Sequence, residues 1–254
     1  MAADRPSPRG SATQVHRPVS NEPVDEHHHR NIQGGAARAA VFGISDGLVS
    51  NVSLILGVAG ASPAPGVVRL AGLAGLVGGA FSMSAGEYVS MRAQSELLER
   101  ELELERMEIG RRPEHERREL SAIYQSRGVE PDVADELAAQ MMRDPQLALE
   151  THAREELGID PEELGSPALA ALSSFLAFAF GAVLPLLPWF VTRGTAATVA
   201  SVVVGALSAV AIGVALAAFT GRSALRSALR QLAIAAAAAG VTFAVGNAVG
   251  VGVV

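Results

Sequence analysis

The chain has 254 residues, of which 49% are hydrophobic, and its net charge at pH 7 is −6. It contains no cysteine, which excludes disulfides, thiolate zinc sites and iron–sulfur clusters. The charges are unevenly distributed, because 20 of the 26 carboxylates and 10 of the 20 basic residues lie between Arg92 and Gly165. Long apolar stretches interrupted by one hydrophilic insert are typical of an integral membrane protein.

The N-terminal segment, residues 1–35, is rich in proline, serine, histidine and charged residues. It does not begin with an apolar stretch, so it is predicted to be a disordered tail and not a secretory signal. The run His27–His29 contains metal-binding side chains, but in such a tail we expect it to be inert.

Membrane-spanning helices are predicted from segments of about 20 apolar residues. Short connections join the first two segments into a hairpin (residues 36–91) and the third and fourth into another, and Pro185 and Pro188 should kink the third. The predicted fold class is an all-α membrane protein with five transmembrane helices and a helical acidic insert between the second and third. The five segments are 39–61, 67–91, 168–191, 196–219 and 231–254.

The orientation in the membrane follows from the positions of the arginines. Arg30, Arg38, the insert and the connection 221–230 carry most of the positive charge, and all lie at the same ends of the five segments. The positive-inside rule therefore predicts a cytoplasmic N-terminus and insert, and a C-terminus outside.

The insert, residues 92–166, is predicted to be helical. The second transmembrane helix continues without a break as far as Ile109, and Gly110–Pro113 interrupts it. Pro113 suits the first turn of a new helix that runs to about residue 127. Two shorter helices are expected at 131–143 and 145–157, followed by the last transmembrane part of the chain, 167–254.

Three residues whose side chains can bind a cation lie within the first two apolar segments. Asp46 is a carboxylate whose insertion costs at least about 2.5 kcal/mol, which indicates an ion or proton path. Met83 should lie at a matching depth, ~10–12 Å inside on the antiparallel neighbour. Glu87 shares a helix face with Met83. The alternatives are packing for Met83 and snorkelling for Glu87. Further oxygens are available from Ser45, Asn51, Ser82 and Ser84.

The insert carries acidic groups at helical spacing. Glu101, Glu105 and Glu108 share one stripe, and Glu116 and Glu119 form a pair at i, i+3. The alternative is a solvated acidic surface. Carboxylates with an imidazole or thioether favour Fe²⁺, Mn²⁺ or Co²⁺ over Cu⁺, and we expect metal affinity to fall as the pH drops through about 4–5. A third candidate cluster is Glu150, His152, Glu155 and Glu156.

The sequence lacks the motifs of the competing enzyme classes. The insert contains no Glu-x-x-His, and the chain contains no His-Glu-x-x-His and no Walker loop. The pattern Gly-x-Ser-x-Gly occurs at 43–47, but inside a predicted transmembrane helix and not at the strand-to-helix turn of a nucleophile elbow. We therefore predict that the protein is neither an enzyme nor an ATP-driven pump, and that it has no prosthetic group and no nucleic-acid partner.

Several segments resemble the vacuolar iron transporter family, including its bacterial members. The resemblance rests on RAAVFGISDGLVSN (38–51) and SMSAGEYVS (82–90). Three further features add to it: the Glu-rich stretch that continues the second transmembrane helix, the motif AVLPLLP (182–188), and a Gly-rich last helix. It covers residue 31 to the C-terminus. The first two motifs are specific when they occur in this order.

The resemblance implies a dimer of five-helix protomers that exchanges cytosolic Fe²⁺, and often Mn²⁺, for protons. Asp46 and Met83 match the intramembrane pathway residues of the family. Some members have a glutamate where Gly75 stands here, and some have a methionine pair where His152-Ala153 stands. The matching glutamates of the cytoplasmic metal-binding domain are Glu105, Glu108, Glu116, Glu119 and Glu156.

The function predicted from the sequence is a proton-coupled exporter of Fe²⁺, and also of Mn²⁺, in a bacterial plasma membrane. The insert would collect metal, and Asp46, Met83 and Glu87 would pass it through the bilayer. The alternative is a non-transporting membrane protein whose acidic insert senses metal or docks a partner.

Overall fold

The structure is a computed structural model that describes residues 35–61, 64–158 and 165–251. The predicted tail, with its run His27–His29, lies outside these residues, apart from residue 35 at the start of the first helix. Within the described ranges the regular elements are all helices, without a strand.

Five helices in this part of the chain are long and apolar enough to cross a membrane. They are α1 (Gly35–Gly60), α2 (Pro65–Arg111), α6 (Pro167–Val183) with the short 3₁₀ turn that follows it, α8 (Gly194–Thr220) and α9 (Ala224–Val251). The prediction of an all-α protein with five transmembrane helices is confirmed.

Helix α2 is too long for a bilayer alone. Its 47 residues extend over ~70 Å, whereas the hydrocarbon core is ~30 Å thick. The helix is continuous, as predicted, and its second half projects beyond the apolar span. It ends at Arg111, because Arg112 precedes a proline and adopts φ −136°, outside the helical region.

The three helices of the insert begin alike, with proline at the first helical position. Asp144 also caps one of them, since its side chain accepts hydrogen bonds from the backbone N–H groups of Gln146 (2.8 Å) and Leu147 (3.0 Å). Each helix ends one or two residues earlier than predicted. The three are α3 (Pro113–Ser126), α4 (Pro131–Met141) and α5 (Pro145–Glu155).

The predicted kink in the third span is present. Helix α6 ends at Val183, the 3₁₀ turn Leu184–Leu186 follows, and α7 (Pro188–Val191) completes the segment. Side chains of neighbouring helices bond to the carbonyl groups at this break. Asn51 Nδ2 donates to the Ala182 oxygen (2.6 Å) and Ser201 Oγ to the Pro185 oxygen (2.7 Å). Such bonds allow a proline kink inside a membrane.

The interpretation of residues 221–230 as a connecting loop is wrong. Helix α8 stops at Gly221, whose φ of 65° is left-handed, and α9 begins already at Ala224. Arg226 and Arg230 therefore lie on the first turns of α9. Hydropathy locates the entry into the membrane, whereas the helix starts earlier because Ala, Leu, Arg and Gln are strong helix formers.

Helix α1 is central and contacts the other four spans. Its crossing with α6 is close, because a Cβ at Gly47 or Gly181 would overlap the facing backbone. Gly246 on α9 similarly packs against the backbone of Gly57 on α1. Small residues thus allow the backbones to approach, as is usual in membranes.

Candidate functional site

A cleft of about 320 Å³ lies where α1, α2 and α6 meet. Asp46 of α1 and Met83 of α2 are both in its wall, so the structure brings these two predicted residues together. Its complete lining is Asp46, Ser50, Asn51, Leu54, Gly75, Gly79, Ser82, Met83 and Phe178.

The Asp46 carboxylate lies on the exposed side of α1. Ser50 Oγ, one turn further along the helix, donates a hydrogen bond of 2.9 Å to Asp46 Oδ1. Asp46 also lines a second cavity of about 280 Å³, together with Ile212 and Leu216 of α8 and Ile234 of α9. The carboxylate is therefore reached from two sides of α1.

Asn51 offers a second oxygen at the cleft. Its side chain is 1% exposed, and because Nδ2 donates to the Ala182 carbonyl, the orientation of the amide is defined. Its Oδ1 faces Gly75 and has no hydrogen-bond partner among the described residues. A side chain at Gly75 would press against this oxygen. An unpaired amide oxygen beside a carboxylate and a thioether is a ready ligand for a cation.

The other polar residues proposed for the path have different positions. Ser45 Oγ accepts a hydrogen bond from Gln231 Nε2 (2.5 Å) and faces the second cavity. Ser82 lines the cleft, whereas Ser84 does not. Glu87 is half-buried on α2 and also lies outside the cleft lining.

Met83 contacts both the cleft and the apolar interior, so its position fits both a place in the ion path and a role in packing. It lines the cleft, and it also packs against the buried cluster of Ala80, Phe178 and Ala182. Packing fixes one side of the thioether while its other side faces the cleft.

A second site lies where the projecting half of α2 meets α3 and α5. Glu105 is buried there, and His152 Nδ1 lies 3.1 Å from its Oε1 and 3.3 Å from Glu156 Oε2. Glu108 and Glu116 supply further carboxylates around Glu105. In each of these groups of three, the ligand atoms lie within 4.8 Å of one another. This spacing suits a single bound metal ion.

In the described chain His152 Nε2 is buried without a hydrogen-bond partner. Glu105 Oε1 is also buried without a hydrogen bond, and its one close polar neighbour is His152 Nδ1 at 3.1 Å. Unpaired buried polar atoms are costly, and a bound cation would satisfy the carboxylate. The apolar base of the site is formed by Ile109, Ala148 and Leu149, which pack α5 on α2.

Burial, together with the negative charges of Glu156, Glu116, Glu108 and Glu119, raises the pKa of Glu105 to about 7. A proton is thus held near neutral pH in the place that a metal would take.

The sequence-based reasoning missed His115. Its Nδ1 lies 3.3 Å from Glu116 Oε1 and 3.5 Å from Glu119 Oε2, and the three form another group with metal-ligand spacing. The spacing of His115 and Glu119, i and i+4 on one helix, was the available signal.

Two predicted ligands are not brought into these groups. Glu150 Oε1 accepts a hydrogen bond from Gln146 Nε2 (2.9 Å), and Glu101 is half-buried on α2 one turn before Glu105. Neither belongs to a ligand group in the described residues. Glu155, from the same predicted cluster as Glu150, pairs with Arg127 instead.

Known proteins resemble this chain over most of its length. The VIT family profile matches residues 37–247. Vacuolar iron transporter 1 of Arabidopsis thaliana is 31% identical over 228 residues, which are 89% of this chain and 91% of that protein. Vacuolar iron transporter 1 of Eucalyptus grandis is 30% identical, with 89% and 92% covered.

A vacuolar iron transporter of Acanthamoeba castellanii is 41% identical over 166 residues. That match spans 65% of this chain and 60% of the amoebal protein. The resemblance inferred from the two helical motifs is thus confirmed over nearly all of the described residues. The chain belongs to the VIT family.

Proposed function

We propose that this protein is a proton-coupled transporter that moves Fe²⁺, and also Mn²⁺, out of the cytosol. It is a member of a transporter family and not an enzyme. The observation that carries the proposal is the cleft in which a carboxylate (Asp46), a thioether (Met83) and an unpaired amide oxygen (Asn51) meet between membrane-spanning helices. These relatives are all named vacuolar iron transporters, which supports iron as the transported metal.

The acidic site is proposed to collect the metal. It offers carboxylate oxygens with one or two imidazoles, a donor set that suits Fe²⁺ and Mn²⁺ better than Cu⁺. The site belongs to α2, the same continuous helix that carries Met83. Metal released from the site therefore has an unbroken helix along which to reach the cleft.

Proton coupling is proposed from electrostatics. Moving a bare divalent cation outward against an inside-negative potential costs ~4.6 kcal/mol per 100 mV for two charges. A carboxylate such as Asp46 or Glu87 binds a proton or a metal ion but seldom both, so proton entry would offset the cost of metal exit.

A homodimer is proposed as the working assembly. In a single chain, Asp46 and Ser50 lie exposed on α1 within an apolar span. A carboxylate facing hydrocarbon is costly, and a second copy placed against this face would enclose it.

The proposed orientation follows the arginines, with the acidic insert in the cytoplasm and transport directed outward across a bacterial plasma membrane. Cysteine-free wild-type protein allows this to be tested directly by introducing single cysteines into the insert and labelling intact cells.

The decisive experiment is transport in proteoliposomes. Purified protein should take up Fe²⁺ and Mn²⁺, and an imposed pH gradient should accelerate the flux while an internal pH dye reports proton movement opposite to the metal. Equal flux with the gradient collapsed and no pH change would indicate a channel or uniporter. Saturable metal binding without any flux would support the alternative, a non-transporting metal sensor.

A further inference from the structure

A cavity of about 790 Å³ lies where α8 ends and α9 begins. Arg222 lies in the turn between the helices, and Arg226 and Arg230 follow at intervals of four residues. All three line the cavity. They therefore present three guanidinium groups to one space, and the remaining lining residues are Leu216, Thr220, Gly221, Ser223 and Ser227.

The positive charge of this cavity is not neutralised within the described chain. The ion pairs found there join other arginines to carboxylates, and none involves Arg222, Arg226 or Arg230. The first N–H groups of α9 lack acceptors within the helix and add to the positive potential. Ser227 is 6% exposed and brings a hydroxyl to the wall. This arrangement suits an anion with several acceptor oxygens, such as a phosphate group.

The surroundings favour a lipid headgroup over a free anion. Leu225 and Leu229 are exposed on the stripe of α9 next to the arginines, and Phe219 is exposed at the end of α8. These side chains lie at the edge of two apolar spans, where acyl chains would contact them. Basic residues just outside a span, beside apolar surface, are the arrangement that binds anionic headgroups.

We propose that this cavity binds the phosphate of an anionic phospholipid through Arg222, Arg226 and Arg230. The alternation of the five spans puts it at the same end of the bundle as the acidic insert, on the proposed cytoplasmic side. It is linked to the metal path by Leu216, which lines both this cavity and the one that contains Asp46. The site is independent of the identity of the transported metal.

The test uses the full-length protein in a mild detergent and three probes: short-chain phosphatidylglycerol, phosphatidylcholine with the same chains, and inorganic phosphate. Native mass spectrometry measures lipid retention, and the fluorescence of the single tryptophan, Trp189, follows thermal unfolding. Phosphatidylglycerol should be retained and should raise the Tm, whereas phosphatidylcholine should do neither. The effect should weaken as salt is added.

The combined variant Arg222→Gln, Arg226→Gln, Arg230→Gln should bind phosphatidylglycerol roughly 100-fold more weakly. Arg69→Gln with Arg193→Gln, at the opposite ends of the spans, is the matched control and should bind like wild type. Equal binding of both lipids, or full retention by the triple variant, would overturn the proposal. Stabilisation by inorganic phosphate equal to that by phosphatidylglycerol would overturn the lipid assignment in favour of a free-anion site. If the triple variant does not fold, the three single variants are compared in the same way, and each should show weakened binding.

Discussion

Asn51 Nδ2 donates a hydrogen bond of 2.6 Å to the carbonyl oxygen of Ala182, at the end of the helix that two prolines interrupt. This bond serves the fold, because it satisfies a backbone group at the kink. It also serves the cleft, because it turns Asn51 Oδ1 toward Gly75 and leaves that oxygen without a protein partner. The two roles can be separated experimentally.

The substitution Asn51→Leu should destabilise the protein and also lower transport. Loss of the donor leaves a buried carbonyl unpaired, which costs about 1–3 kcal/mol. Ser201→Ala is the matched control, since Ser201 Oγ bonds the Pro185 oxygen at the same kink but does not line the cleft. Both variants should unfold at lower temperature, and Asn51→Leu alone should lose more than about tenfold in Mn²⁺ flux per folded molecule. Equal flux of the two variants would remove Asn51 from the path.

The substitution Asp46→Asn should abolish transport without affecting folding or assembly. The amide keeps the size of the side chain and can still accept the hydrogen bond from Ser50, but it carries no charge and does not exchange a proton. Flux is measured in proteoliposomes, and size-exclusion chromatography with light scattering reports the oligomer. Ser50→Ala should retain most of the flux, because it leaves the carboxylate in place. Wild-type flux through folded Asp46→Asn would exclude Asp46 from the mechanism.

Removal of the thioether should alter metal selectivity more than stability. Met83→Leu conserves the volume that packs on Phe178, and such swaps usually cost less than about 1.5 kcal/mol. Because sulfur is a soft ligand, Fe²⁺ and Co²⁺ flux should fall several-fold relative to Mn²⁺. Met91→Leu, a buried methionine of the same helix outside the cleft, is the control. An unchanged selectivity ratio would assign Met83 to packing only.

Metal binding to the acidic site should weaken as the pH falls below about 7. Unperturbed carboxylates predict a window of pH 4–5, but burial and the neighbouring negative charges raise the pKa of Glu105 to about 7. Below that value the metal must displace the proton, so Mn²⁺ affinity should fall by up to about tenfold per pH unit. Calorimetry on the full-length protein measures this.

The variant Glu105→Gln should lose more than about tenfold in affinity and most of this pH dependence. Glu136→Gln, an exposed glutamate on α4, should titrate metal like wild type. An affinity that stays constant from pH 8 to 6 in the wild type would show that Glu105 is not a ligand.

The stability of the metal-free protein should change with pH in a direction set by the same group. The pKa of Glu105 is raised on folding from 4.5 to about 7, so the folded state binds its proton more tightly than the unfolded state does. This contribution to stability is complete below pH 4.5 and is lost as the pH rises to about 7. Amide hydrogen exchange in α5 should therefore be faster at pH 8 than at pH 5.5 after correction for the intrinsic rate.

Glu105→Gln should reduce this difference, and Mn²⁺ at pH 8 should slow exchange in the wild type. Faster corrected exchange at pH 5.5 than at pH 8 would contradict the assignment, because it would require the charged form to be favoured by folding.

The sequence by itself determined the fold class, the five spans and the continuous long helix. Hydropathy and helical periodicity are local properties, and in a membrane they leave only helices for the spanning segments. Asp46 stood out for the same reason, since a carboxylate in an apolar segment is anomalous wherever its neighbours lie. The start of α9 predicted from the sequence is too late, because hydropathy marks where the chain enters the membrane and not where the helix begins.

Only the tertiary structure decided which of the many acidic residues lie close together. Glu101, Glu105 and Glu150 are indistinguishable by residue type, but α3 and α5 fold back onto α2 at Glu105 and bury it beside His152. The tertiary structure also places the oxygen of Asn51, and not that of Ser45, beside the cleft. Asn51 uses its nitrogen to bond Ala182 and keeps its oxygen free among the described residues, whereas the Ser45 oxygen accepts a hydrogen bond from Gln231. Such pairings join residues far apart in the chain, so no local pattern encodes them.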